Sequence, residues 1–374
     1  MIYLDNAATG GFKPRAVTDA VHTVIRYLSA NPGRSGHRLS LTGAQIVYDT
    51  RKAVGEAFNA TPERVIFTKN CTEALNTAIF GTLKVGGHVI TTVYEHNSVL
   101  RPLHVLKEKG LISLSIVAQT KEKPLVTAIE EQITQDTYLI VMTAASNVTG
   151  QTFPVEQVGA LAKERQLLFI VDGAQAGGHI KLNVKDDNIT ALALAGHKGL
   201  YSIMGSGVLI LNDNACVNPL LHGGTGTESH SLEQPSVYPE RLESGTLNLP
   251  AIASLNEGIR FIKKNIEGFG VHLLRATENV ISALEKIPNV KCYSTPNVCG
   301  IVAFSIDGFD STEVADVLSK KYDVAVRGGL HCAPLIHKHI NTFEGGLVRV
   351  SIAVQNSSSE IAHFLYAVRE IANS

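Results

Sequence analysis

The chain has 374 residues, more than one hydrophobic core usually serves, so two domains are the starting expectation. With 44% hydrophobic and 18% charged residues, its composition is that of a globular protein with ample core. A formal net charge of −1, with no block of basic residues, argues against general attraction to nucleic acid or to an anionic membrane.

The N-terminus, "MIYLDNAATGG", has no basic segment followed by an apolar stretch, so no signal peptide is expected. No window approaches the roughly 20 apolar residues that cross a bilayer. Five cysteines at irregular spacing suggest no disulfide framework, and the chain reads as cytoplasmic with reduced thiols. From about residue 62, short apolar runs alternate with helical patterns: "RVIFT", "HVITTV", "LISLSIV", "YLIVMTA", "LLFIVDGA", "ALALAG" and "GVLILN". Between them lie segments such as "TEALNTAIFGTL" and "PVEQVGALAKERQ", the latter opening on Pro154 as a first helical residue. Continuous apolar strands separated by helices predict a mostly parallel seven-stranded α/β sheet, covered on both faces. Ligands of such sheets collect at the carboxyl ends of the strands.

After about residue 254 a long helical stretch leads into an α+β pattern. "GIVAFSI", "DVAVRG" and "LVRVSI" read as strands. "DSTEVADVLSKKY" and "SSSEIAHFLYAVREI" read as helices, with Asp310/Glu313 and Ser357/Glu360 spaced as capping boxes. The expected division is a large domain of residues 15–253 and a small one of residues 1–14 with 254–374, meeting inside the long helix.

The strongest chemical constellation is "LLFIVDGAQAGG" followed by "ALALAGHKG". Asp172 ends an apolar strand, where a carboxylate is costly without a cationic partner. Lys198 follows the next strand between Gly196 and Gly199, and a desolvated lysine is a good amine nucleophile. A carboxylate for a pyridinium nitrogen and an amine for a Schiff base are what pyridoxal phosphate needs; the blander reading is an Asp–Lys ion pair at the sheet edge. In "FTKNCTEALN" a helix opens at Thr72 and Glu73, and free N–H groups there suit a phosphate. His96 in "TTVYEHNSVL" and Asn147 in "AASNVTGQ" fall at the same sheet edge, His96 placed to stack on a ring or move protons.

Taken in order, "YLDNAAT", "CTEALN", "EHNSVL", "SNVTG", "VDGAQ", "GHKG", "SGTLN" and "RGGLHCAPL" resemble the cysteine desulfurase and selenocysteine lyase family of class V aminotransferase fold. The match covers nearly the whole chain, and the short loop "GGLHCAP" resembles the sulfur-mobilisation group. The resemblance implies an aspartate-aminotransferase-like fold and a homodimer. It implies that Lys198 holds pyridoxal phosphate covalently, Asp172 pairs with the ring nitrogen, Gln175 with the phenolic oxygen, and His96 stacks on the ring. Thr72 and His197 would bind the phosphate, with Cys71 beside the cofactor and Thr246 reaching in from the partner subunit. Asn147 and Arg349 would hold the substrate carboxylate, Arg327 would lie near substrate or loop, and Cys332 would be the nucleophile.

On this basis the expected activity is conversion of L-cysteine to L-alanine, with a persulfide on Cys332 for an acceptor protein. His331 and Arg327 would favour the thiolate, and Gly328 and Gly329 would let the loop move. Other readings are a selenocysteine lyase, another class V lyase or aminotransferase, and a sulfur carrier of low turnover. Two residues depart from the family pattern. Ala195 stands where Ser or Thr usually donates to the phosphate, a loss of about 1–3 kcal/mol. Leu330 stands where many relatives carry a second histidine. No metal site is expected: Cys292 and Cys299 read as structural thiols, and His337 and His339 as a solvated or dimer-facing turn.

Overall fold

The computed structural model describes residues 1–374. In chain order it comprises β1 (Ile2–Tyr3), α1 (Arg15–Tyr27), α2 (Arg38–Phe58), β2 (Val65–Thr68), α3 (Cys71–Gly81), β3 (Gly87–Thr92), α4 (Asn97–Glu108) and β4 (Ile112–Val117). These are followed by α5 (Leu125–Glu130), β5 (Thr137–Thr143), α6 (Val155–Glu164), β6 (Leu168–Asp172), β7 (Ala191–Ala195), β8 (Gly207–Leu211) and α7 (Leu249–Leu284). The remainder is β9 (Val290–Cys292), β10 (Ile301–Ile306), α8 (Ser311–Tyr322), β11 (Val324–Ala325), α9 (Pro334–His339), β12 (Val348–Ser351) and α10 (Ser358–Ala372).

All seven apolar runs between residues 65 and 211 are strands of one sheet, ordered β2-β8-β7-β6-β5-β3-β4. Only β8 runs against its neighbours; the pairings of β3 with β4 and β5, β5 with β6, and β6 with β7 are parallel. The runs are apolar throughout because each face of the sheet is covered. Ile140, Met142, Phe169, Val171, Leu192 and Leu194 face one core with α1, α2, α6 and the first half of α7. Leu139, Val141, Ile170, Ala191 and Ala193 face the other, with α3 and α4 supplying Leu75, Ile79 and Leu103. Each buried Leu or Ile contributes roughly 1.5–3 kcal/mol over its exposed state.

The long helix α7 has 36 residues, roughly 54 Å of helix. Its first half buries Ile252, Leu255 and Ile259 against the large core. Its second half buries Leu273, Val280, Ile281 and Leu284 in a third core, with the antiparallel sheet β12-β10-β9 and α10. The N-terminal strand β1 joins that end of the molecule by pairing in parallel with β11.

Local differences from the expectations have simple causes. Ser357 and Glu360 form the capping box of α10. Asp310 instead caps α8 by accepting from the Thr312 N–H at 2.8 Å, and the return bond from Glu313 is not made. The cap of α3 is Asn70, which accepts from the Glu73 N–H at 2.9 Å, so the helix opens one residue before Thr72. Pro154 is the residue before α6 rather than its first.

Candidate active site

The chemistry-bearing residues converge because parallel strands deliver their carboxyl ends to one edge. Asp172 is the last residue of β6; Lys198 follows β7, Asn147 follows β5, His96 follows β3, and Cys71 and Thr72 follow β2. With Gln175, His197, Arg327 and Arg349 they line one cavity of about 230 Å³. Thr246 is not brought to it. It lies exposed between β8 and α7, beside a second groove floored by Phe67, Leu220 and Leu255.

Asp172 is buried, and one of its oxygens accepts from the Ala174 N–H at 2.9 Å and lies 3.5 Å from Cys71 Sγ. Burial first, then the Asp172 charge, pushes the Cys71 thiol well above its ordinary range, so it stays protonated as a donor to that oxygen. The other Asp172 oxygen has no protein partner. Lys198 makes neither an ion pair nor a side-chain hydrogen bond, so the ion-pair reading of Asp172 and Lys198 is not what the fold builds. Burial draws its amine below the usual lysine range, against the attraction of Asp172. The flanking glycine has a steric cause: a Cβ on Gly199 would come within 2.3 Å of the Gly177 carbonyl oxygen.

His96 is the cap of α4, its Nδ1 accepting from the Ser98 N–H at 3.1 Å. The imidazole is pushed down to about 4 by burial, with Lys198, Arg327 and Arg349 adding to the effect against Asp172. A neutral ring with its proton on Nε2 follows. At the opposite end, Thr72 Oγ1 and Ser98 Oγ lie 2.8 Å apart at the start of α3. His197 bonds Thr9 Oγ1 at 3.1 Å and is likewise pushed down to about 4, by burial and then by Lys198 and Lys13. Gln175 donates to the Ala7 carbonyl at 2.9 Å.

Arg349 is 1% exposed. It donates to Asp5 Oδ1 at 2.8 Å and to the Asn147 carbonyl at 2.9 Å, and its Nε is buried with no partner. A buried guanidinium N–H without an acceptor is costly unless a ligand supplies one.

Cys332 lies on the turn between β11 and α9, exposed, with Nη2 of the cavity residue Arg327 3.6 Å from its Sγ. Its carbonyl accepts from the Asn97 N–H at 2.7 Å, and the preceding carbonyl, of His331, accepts from Asn147 Nδ2 at 2.8 Å. Here the structure corrects the expectation for His331. Its ring is 2% exposed, donates from Nε2 to the Leu347 carbonyl at 3.0 Å, and packs 5.9 Å from the His337 ring. Burial, then Arg349, pushes it down to about 2, so it carries no positive charge toward the thiol; Arg327 is the cation there. His337 is not a solvated turn residue either, being fully buried and bonded to Thr342 Oγ1 at 2.8 Å. Both loop glycines have a steric or conformational cause in this conformation. A Cβ on Gly328 would meet the Ser311 carbonyl oxygen at 2.3 Å, and Gly329 has φ +105° while bonding Leu347 in both directions.

Several site residues escaped sequence reasoning. Asp5 and Ser98 sat inside quoted motifs without a role. Glu95, beside His96, is fully buried; its Oε1 accepts from Thr92 Oγ1 at 2.5 Å and the Thr143 N–H at 3.0 Å, and its Oε2 has no partner. Burial raises its carboxyl to about 8 against those two bonds, and Asp172 adds to the rise.

This donor set fits pyridoxal phosphate: an unengaged amine, a carboxylate with one free oxygen, a neutral imidazole and hydroxyls at a helix start, with an unpartnered guanidinium N–H on a lining residue. The aminotransferase class-V family model matches residues 2–364, and the chain belongs to that family of pyridoxal-phosphate-dependent enzymes. Among curated proteins it is 33% identical to a probable cysteine desulfurase of Pyrococcus abyssi, over 100% of this chain and 95% of that one. It is 28% identical to a cysteine desulfurase of Serratia proteamaculans, over 99% and 93%. Among solved structures, the apo cysteine desulfurase of Thermococcus onnurineus superposes with a TM-score of 0.92 at 31% identity, over 100% of this chain and 94% of that one. The Escherichia coli cysteine desulfurase CsdA does so at 0.88 and 25%, over 99% and 94%. Within the class, the chain is a member of the cysteine desulfurase family.

Proposed function

We propose that the chain takes sulfur from L-cysteine, releases L-alanine, and holds the sulfur as a persulfide on Cys332 for an acceptor protein. The observation that carries this is the seating of Cys332: an exposed thiol 3.6 Å from a guanidinium, its loop tied by Asn147 to the cavity that holds Lys198. An aminotransferase has no use for that thiol.

Pyridoxal phosphate, when bound, supplies an electron sink for the bonds at the substrate's α-carbon. Lys198 would hold it, Asp172 would face its ring nitrogen through the free oxygen, Gln175 its phenolic oxygen and His96 its ring face. Cys71, the protonated donor to Asp172, would fix that carboxylate. Thr72, His197 and the start of α3 would hold the phosphate, joined by Thr246 of a second copy in a homodimer. Ser98, in contact with Thr72, would supply the hydroxyl that Ala195 lacks. Arg349 Nε and the Asn147 amide would take the substrate carboxylate. Lys198, with its lowered amine affinity for protons, would move the α-proton. Cys332 would then attack the substrate sulfur as a thiolate beside Arg327. The new S–S bond forms as the C–S bond breaks; its electron pair stays with the carbon fragment, which is protonated and leaves as alanine. In this reading residues 15–253 carry the cofactor, and 1–14 with 254–374 bring the loop to it.

The test is alanine formation from L-cysteine under reducing conditions, by wild type and Cys332→Ala, with the cofactor absorbance recorded. Wild type should form alanine while the variant perturbs the absorbance on adding cysteine and forms at most a trace. Equal alanine from both would remove Cys332 from the chemistry. Product only from L-selenocysteine would point to a lyase.

A further inference from the structure

The catalytic loop is held in an uncommon backbone conformation. His331 and Cys332 are consecutive non-glycine residues in the left-handed region, with φ of 50° and 58°. Such residues persist only where neighbours over-determine them. The tethers are the Asn97 N–H on the Cys332 carbonyl, at 2.7 Å, and Asn147 Nδ2 on the His331 carbonyl, at 2.8 Å. Asn147 also touches Arg349: its own carbonyl accepts from that guanidinium, whose Nε is without a partner, and both residues line the cavity of Lys198. A side-chain amide has two N–H groups, and the loop uses one.

We infer that Asn147 is a positioning residue that couples recognition of a carboxylate to the placement of the Cys332 thiol. One amide N–H holds the loop, and the other, with Arg349 Nε, receives the substrate's α-carboxylate. An amide pinned by two acceptors no longer swings away from the His331 carbonyl, so a filled carboxylate site tightens the loop over the cavity. The inference rests on the carboxylate role proposed above for Asn147 and Arg349. It adds that Cys332 is fully held only when an acid is bound, which disfavours amines lacking a carboxylate even where they reach Lys198.

The test is the rate of Cys332 alkylation by iodoacetamide in the cofactor-loaded protein, read by peptide mass spectrometry, with and without propionate. Propionate has a carboxylate and no amine. Cys216, also exposed, is the internal reference. In wild type, propionate should slow Cys332 alkylation about fivefold, the weight of one net hydrogen bond, and leave Cys216 unchanged. Asn147→Ala should alkylate faster than wild type by a similar factor and ignore propionate. Asn147→Asp, which keeps the volume and loses both donors, should react faster too, and serves if the alanine variant does not fold. Wild-type rates in both variants, no propionate effect in wild type, or equal protection in Asn147→Ala would each overturn the coupling. Alkylation requires no turnover, so a chain that made no alanine, and thus failed the desulfurase reading, would still reveal whether Asn147 couples the two sites.

Discussion

Glu95→Gln tests whether a buried carboxyl group beside His96 is kept protonated by its surroundings. Glu95 is fully buried, has one oxygen without a partner, and holds its proton to about 8 against an ordinary value of 4.5. Because the folded chain keeps a proton that the unfolded chain has lost, Glu95's contribution to stability is fully present below 4.5 and lost as pH rises to about 8. One proton corresponds to about 1.4 kcal/mol per pH unit, so between pH 5.5 and 7.5 the loss approaches about 3 kcal/mol. His96 and His197, both depressed to about 4, have the opposite sign below their ordinary 6.5. The difference between variant and wild type cancels them. Glutamine keeps an oxygen for Thr92 and the Thr143 N–H and has no proton to lose. Urea unfolding at half-unit steps from pH 5 to 8, at fixed protein and cofactor concentration, should therefore give a difference that moves in favour of Glu95→Gln by roughly that amount. Parallel wild-type and variant curves would refute the protonated carboxyl.

Ser98→Ala should weaken cofactor retention about ten- to a hundredfold in equilibrium dialysis, the weight of one hydrogen bond to a charged group. Ala195→Ser in that background should restore much of it; no loss in Ser98→Ala would mean that Ser98 does not stand in for the missing hydroxyl. Arg51 and Glu243 form a buried bidentate pair, and Glu243 also accepts from the Phe67 N–H at 2.6 Å. Glu243→Ala strands the guanidinium and should cost about 3–5 kcal/mol in urea unfolding, with Glu243→Gln losing less.

The fold was legible because its dominant signal is local: seven uninterrupted apolar runs with helical spacers leave a parallel sheet as the economical arrangement, and its carboxyl edge then places Asp172, Lys198, His96 and Asn147 without further information. Residues whose importance depends on distant partners were not legible in this way. Asp5 acquires its role from Arg349, more than three hundred residues later, and Glu95 from the burial that β3 and β5 impose together. Nothing local distinguishes either from an ordinary carboxylate. Conversely, "GGLHC" invited a reading of an imidazole beside a thiol. The glycines are required by the Ser311 carbonyl and by a positive φ, and the imidazole is turned away to Leu347.

That reversal changes what the loop must be. Two left-handed non-glycine residues cost roughly 1–2 kcal/mol each, and the bonds from Asn97, Asn147 and His331 Nε2 to Leu347 offset this at about 1 kcal/mol apiece. The near balance means that the thiol's position is set by the tethers and not by the intrinsic preference of the chain. Of the three, the bond from Asn147 originates in a residue that lines the same cavity as Lys198 and whose own carbonyl accepts from Arg349. A loop balanced this closely responds to a change in one hydrogen bond, and under the carboxylate role proposed for Asn147 the bond most exposed to change is the one from its amide.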